Sequence, residues 1–198
     1  MANLLRAVGN VINREGFRDL GVNSIAREAG CDKVLIYRYF GSYDGLLDAY
    51  FEQNDFYTHF NLSEISENVP TERENLKRMV KDILRNQLFQ TIANPGYQEV
   101  LRWELVDDSK VLQTYASRRE ASGHALTKLL SASLPASSAD IEAMIAILVS
   151  GLYYLVLRSK YVKIFNGVSL DAADGWERIS SAVDELIDCT FDKIYSKE

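Results

Sequence analysis

The sequence has little turn material. Its 198 residues include only three prolines and eleven glycines, about 7% together where about 12% is usual, which leaves a many-stranded fold short of the punctuation it needs. Cysteine is scarcer still. Cys31 and Cys189 stand far apart with no CxxC or Cys/His spacing, so neither a disulfide framework nor a zinc site is expected, and both are read as packed thiols. Long apolar runs are missing: the longest, Ala143 to Val149, falls far short of the ~18 residues of a membrane span. The opening MANLLRAVGN has no basic segment leading into an apolar signal core. A cytoplasmic protein without a membrane partner is the expectation. Catalytic motifs are lacking too, with no HExxH, GxSxG, Walker loop or GxGxxG, and His59 and His124 are not spaced as paired ligands. No catalytic residue, cofactor or metal is expected.

Positive charge is also in deficit, with 22 Lys and Arg against 28 Asp and Glu and a net charge of −6. The deficit is uneven. Residues 1–50 carry six cations and six acids and are neutral, so the whole excess of acid lies in the remaining 148 residues. That asymmetry suggests two functional parts.

What the sequence does have is helical periodicity. Pro70, Pro95 and Pro135 mark helix boundaries, since proline is tolerated at a helix start but not inside one. Thr71 and Glu74 have capping-box spacing and predict a helix running to about Thr91. Asn94 and Pro95 form a cap and first-turn pair for a short helix holding Tyr97, Val100, Leu101, Glu104 and Leu105, ending near Asp107. The next stripe, Leu112, Tyr115, Arg119, Ser122, Leu126 and Leu129, is unusually polar in its middle. From Ile141 to Leu157 nearly every face is apolar, which demands burial inside a bundle or at a subunit interface. Trp176, Ile179, Val183, Leu186, Ile187, Thr190 and Ile194 form a last stripe opposite Glu177, Asp184, Glu185, Asp188 and Asp192. No strand alternation or internal repeat is found. The expected fold is all-α, with about nine helices.

The N-terminal part contains a sharper pattern. Leu4, Leu5, Val8, Val11 and Ile12 share one side of a first helix that ends at Gly16. A short helix then holds Ile25, Ala26 and Ala29, stops at Gly30, and is followed by Cys31, Ile36 and Phe40. This is helix-turn-helix spacing: a small residue where two helices cross, a glycine able to take positive φ at the turn, and apolar residues that hold the second helix down. The outward positions of that second helix are Lys33, Val34, Leu35, Tyr37 and Arg38, those that enter a major groove in such motifs.

With these residues in register, the stretch GFRDLGVNSIAREAGCDKVLIYRYFGSYDGLL resembles the DNA-binding domain of the TetR (tetracycline repressor) family of transcription regulators. The matched features are Gly16, Phe17, Ile25, Ala26, Ala29, Gly30, Tyr37, Tyr39, Phe40, Ser42, Leu46 and Leu47, within residues 4–50. The resemblance implies a DNA-binding domain at 1–48 and a helical ligand-binding and dimerisation domain at 49–198. Carried over by position, Asn23 and Lys33 are candidate base readers, Tyr37 and Tyr39 candidate phosphate anchors, and Arg38 a candidate for either role; Val34, Leu35, Ser42 and Tyr43 complete the DNA-facing set. The chain departs from the family at Gly21, where Thr or Ser is usual, at Tyr43, where Lys is common, and at Val34 and Leu35. These departures predict a modest phosphate grip, a shallow salt dependence and reliance on pairing two heads, with Val34 and Leu35 suited to thymine methyl groups.

The resemblance further implies a homodimer, through helices near 141–163 and 172–195, and an effector pocket. Candidate ligand residues are the aromatic and apolar Tyr57, Phe60, Phe89, Trp103, Tyr115, Tyr153 and Leu157 with the polar Glu104, Arg119 and Ser122. Glu104 and Arg119 either pair with each other or anchor the polar end of an apolar ligand. The implied function is a ligand-responsive repressor that leaves operator DNA when a small apolar or amphipathic molecule binds. The alternatives are the same fold with DNA binding lost, and an all-helical small-molecule-binding protein or enzyme.

Overall fold

The computed structural model describes residues 1–54, 62–135 and 140–196. Among the described residues the chain folds into ten α-helices, a 3-10 turn at Phe17–Asp19 and a two-residue-per-strand hairpin. The expectation of an all-α fold with about nine helices holds; in chain order α5 (Leu62–Asn68) lies between α4 (Tyr43–Asn54) and α6 (Arg73–Ala93). The chain divides into two compact units, Met1–His59 with Asn94–Glu120, and Phe60–Ala93 with Ala121–Glu198.

In the first unit, α1 (Ala2–Glu15) buries Leu4, Ala7, Val8, Val11 and Ile12, the stripe visible in its sequence. α2 (Val22–Ala29) crosses it through the buried Ile25 and Ala26. Gly30 ends α2 in the left-handed region at φ 64°, which a side chain would strain, and its N–H donates back to the carbonyls of Ala26 and Arg27. α3 (Val34–Phe40) is held down by the fully buried Ile36. The same hydrophobic core takes in Leu46, Leu47 and Phe51 of α4, Val100 of α7 (Pro95–Glu104), and Leu112 and Tyr115 of α8 (Lys110–Ser131). Packing thus joins the first four helices to two later ones.

Helix α7 starts as expected: Asn94 Oδ1 accepts from the Tyr97 N–H at 3.0 Å, with Pro95 in the first turn. It ends at Glu104, short of Asp107. The start of α6 differs from expectation. The helix begins at Arg73, so Glu74 falls too early for a capping box on Thr71, and its carboxylate accepts from Lys77 at 2.8 Å instead.

In the second unit, α6 buries Leu76, Val80, Leu84, Gln87, Leu88 and Thr91, and packs against α9 (Ile141–Ser159) and α10 (Ala173–Tyr195). α10 is amphipathic, with Trp176, Val183, Ile187, Phe191 and Ile194 buried. Its acidic side is not a plain solvent face. Asp192, Asp188 and Asp184 meet Arg73, Lys77, Lys81 and Arg85 of α6 in an antiparallel ladder, with 2.6 Å contacts at Lys81–Asp188 and Arg85–Asp184. The hydrogen bond from Lys81 holds the Asp188 carboxyl below the usual range.

Two expectations about the last third need correction. No strand was expected, yet β1 (Ile164–Phe165) and β2 (Val168–Ser169) pair antiparallel around Asn166 and Gly167, both at positive φ, the combination a tight hairpin turn requires. At Gly175 a Cβ would lie 1.7 Å from the Ser169 carbonyl oxygen, so only glycine lets α10 start against β2. The other correction concerns α9. Although no unbroken apolar run is long, an 18-residue window of this helix has a mean hydropathy of 1.7 and is long and apolar enough to cross a membrane by length and composition. In the single chain it is far from buried all round: only Leu152 and Val156 are fully buried, several neighbours are half-buried, and Ile147 is 70% and Tyr154 52% exposed.

Candidate nucleic-acid interface and ligand residues

The short helix α3 presents the chemistry. With Ile36 turned into the core, Val34, Tyr37, Arg38 and Tyr39 are left exposed, Val34 to 61%, beside an exposed Lys33 that precedes the helix. Two aromatic rings and a valine in water are a cost unless a partner covers them. Asp32 Oδ1 accepts from the Val34 N–H at 2.8 Å and fixes the first turn. Leu35 is half-buried and packs against the core, which leaves Val34 the more accessible of the two. Asn23, the second residue of α2, is exposed.

The start of α2 is built without a capping side chain, because Gly21 stands there. Ser24 takes up the task from inside the helix: its Oγ accepts from the Gly21 N–H at 2.9 Å and reaches the Asp19 carbonyl at 2.8 Å. Ser42 and Tyr43 are both engaged within the unit. Ser42 Oγ accepts from the Gly45 N–H at 2.9 Å and caps α4. The Tyr43 hydroxyl donates to the Leu20 carbonyl at 3.0 Å. Burial, reinforced by the Asp44 and Asp107 carboxylates, pushes that phenol up to about 12, so it remains a neutral donor. Arg14 is also occupied, donating to Glu28 at 2.8 Å, while Asn10 donates to the same carboxylate at 2.9 Å. These bonds hold the Glu28 carboxyl below its ordinary range. The interface therefore draws its free positive charge from few residues, chiefly Lys33 and Arg38.

The candidate ligand residues fall into both units. Tyr57 and Phe60 lie outside the described residues. In the first unit Trp103 stacks on Phe17 at 3.9 Å between ring centroids and meets Phe51 edge-on, and Phe51 packs against the buried Tyr115 at 5.0 Å. Glu104 and Arg119 pair with each other: one guanidinium nitrogen lies 2.7 and 2.6 Å from the two carboxylate oxygens. Glu120 accepts from the same guanidinium at 3.0 Å. The second unit holds Phe89, Ser122, Tyr153 and Leu157, all half-buried. The Tyr153 hydroxyl accepts from Gln87 Nε2 at 2.7 Å. Gln87 and Thr91 were missed from sequence; both are buried polar residues continuing the apolar stripe of α6, which was the available signal. An open groove of about 720 Å³ along α5 and α6, lined by Ile65, Pro70, Met79, Ile83 and Arg78 among others, contains none of the candidates.

Two short helices crossing at a small buried residue, a glycine-capped turn, and an exposed second helix bearing aromatic and basic side chains make up a helix-turn-helix. Residues 4–50 match the family described as bacterial regulatory proteins, tetR family. The N-terminal quarter of the chain is thus similar to the DNA-binding domain of that family. No curated protein matches the sequence. Among solved structures it is similar to a TetR-like transcriptional regulator from Rhodococcus sp., at TM-score 0.61 and 22% identity over 93% of this chain and 94% of that one. It is also similar to the regulator FadR from Bacillus subtilis in complex with stearoyl-CoA, at TM-score 0.63 and 17% identity over 94% and 96%. A third likeness is to NalD, the secondary repressor of the MexAB-OprM multidrug efflux pump in Pseudomonas aeruginosa, at TM-score 0.67 and 13% identity over 95% and 93%. At these identities the likeness is one of fold.

Proposed function

We propose that this chain is a homodimeric repressor that releases operator DNA on binding a small apolar or amphipathic effector, and that it is not an enzyme. The observation carrying the DNA half is α3, whose accessible face is made of Lys33, Val34, Tyr37, Arg38 and Tyr39, all exposed. Asn23 extends that face from the first turn of α2. Because this face has few free cations, affinity depends on fit and on engaging two half-sites at once, about 34 Å apart.

The dimer half is supported by α9, whose Ile147 and Tyr154 are uncovered, and by the exposed Leu186 on α10. A partner copy placed on these helices would satisfy the burial that the sequence of α9 demands. The effector half is supported by the fold shared with FadR, solved in complex with stearoyl-CoA, and by aromatic residues next to buried polar groups such as Gln87 and Tyr153.

The test is a gel-shift assay at low salt with the DNA flanking the gene, followed by titration with fatty acyl-CoA and with uncharged apolar compounds. The parent is expected to shift the DNA and an effector to reverse the shift. A Lys33→Ala, Tyr37→Ala double variant should lose binding by at least about thirtyfold, two interface contacts each worth about 1–3 kcal/mol. Parental affinity in that variant would overturn the assignment of α3.

A further inference from the structure

The amino end of α2 sits at the DNA-facing surface and yet has no side-chain cap of its own, because Gly21 occupies the capping position in extended geometry. What holds it comes partly from 23 residues further along the chain. The hydroxyl of Tyr43, first residue of α4, donates to the carbonyl of Leu20, the residue just ahead of that end. The ring behind the hydroxyl is half-buried against the core of the first unit, alongside Leu20 and Val22. Ser24 adds to the same turn, its hydroxyl accepting from the Gly21 N–H and reaching the Asp19 carbonyl. The turn is thus bolted from the α4 side by one phenol and from the α2 side by one hydroxyl. Asn23, two residues beyond Gly21, is exposed and has its direction set by where this end of α2 lies.

We infer that Tyr43 is a positioning residue for DNA reading: its hydroxyl ties the start of α4 to the start of α2 and so sets the placement of Asn23, rather than itself gripping a phosphate. The inference rests on the DNA-binding reading above and deepens it. A phenol that donates inward at 3.0 Å has its single proton committed, so a phosphate contact would have to break the bond that shapes the turn.

The two roles differ in what they couple to. A residue that acts by placing Asn23 matters little once Asn23 is gone, whereas a hydroxyl that grips a phosphate itself contributes independently of it. The experiment measures DNA affinity for the parent, Tyr43→Phe, Asn23→Ala and the combined variant, each checked for fold by circular dichroism. Phenylalanine keeps the buried ring and removes only the hydroxyl. Tyr43→Phe is expected to weaken binding about two- to tenfold, the worth of one hydrogen bond, and to have little further effect in the Asn23→Ala background. Parental affinity in Tyr43→Phe, or a full additional loss when it is added to Asn23→Ala, would each overturn the positioning role. Absence of any DNA binding by the parent would instead sink the functional reading on which it stands.

Discussion

At the scale of single residues, the most consequential outcome is that Arg119 and Glu104 answer each other. Arg119 is only 8% exposed, its guanidinium meets both Glu104 carboxylate oxygens, and it lies 5.8 Å from the centroid of the Tyr115 ring. Charges so placed are costly when one partner is removed, because the other stays largely buried with its main counter-charge gone. Arg119→Met should therefore destabilise the protein by about 3–5 kcal/mol, read as a lower denaturation midpoint in urea. Adding Glu104→Leu to that variant should recover part of the loss, since the stranded charge goes with it. A loss below about 1 kcal/mol in Arg119→Met would mean the pair is solvated and free for a ligand.

At the scale of elements, the ladder between α6 and α10 shows how two helices distant in sequence are kept in register. Arg73, Lys77, Lys81 and Arg85 recur every four residues, as do Asp184, Asp188 and Asp192, so cations and acids line up along facing ridges. Each pair is partly exposed and contributes about 0–1 kcal/mol. Apolar burial beneath, from Leu76 and Leu84 to Ile187 and Phe191, supplies the larger share of the packing. Asp188→Lys places a third cation against Lys77 and Lys81. It is expected to lower stability by about 1–2 kcal/mol at low ionic strength, with much of the loss recovered at about 1 M salt, where the screening length falls to about 3 Å. A loss insensitive to salt in the denaturation curves would show that packing, not charge, was disturbed.

At the scale of the whole molecule, the exposed face of α9 is where the proposed homodimer would form. Ile147, at 70% exposure, is the test position because it packs little within its own chain. Ile147→Glu should leave the fold intact, shift sedimentation from dimer to monomer, and weaken operator binding by about a hundredfold or more through lost avidity. A variant that stays dimeric and binds DNA like the parent would place the subunit contact elsewhere.

The features legible in the sequence are those that short-range physics decides. Gly30 ends α2 because a residue at φ 64° with its N–H turned back on Ala26 is a local event, and Asn94 caps α7 through a neighbour three residues on. The buried set Ile25, Ala26 and Ile36 follows from helical spacing alone, which is why the helix-turn-helix and its exposed face could be read from residues 4–50. Tertiary structure decided what depends on closing long loops: Tyr43 on Leu20, Gln87 on Tyr153, Arg119 on Glu104, and the aspartates of α10 on the cations of α6. It also decided that helices from 94–120 share a compact unit with the first four. Spacing tells which residues share a face, but the choice of face to oppose it is made by burial and hydrogen-bond satisfaction across the folded chain.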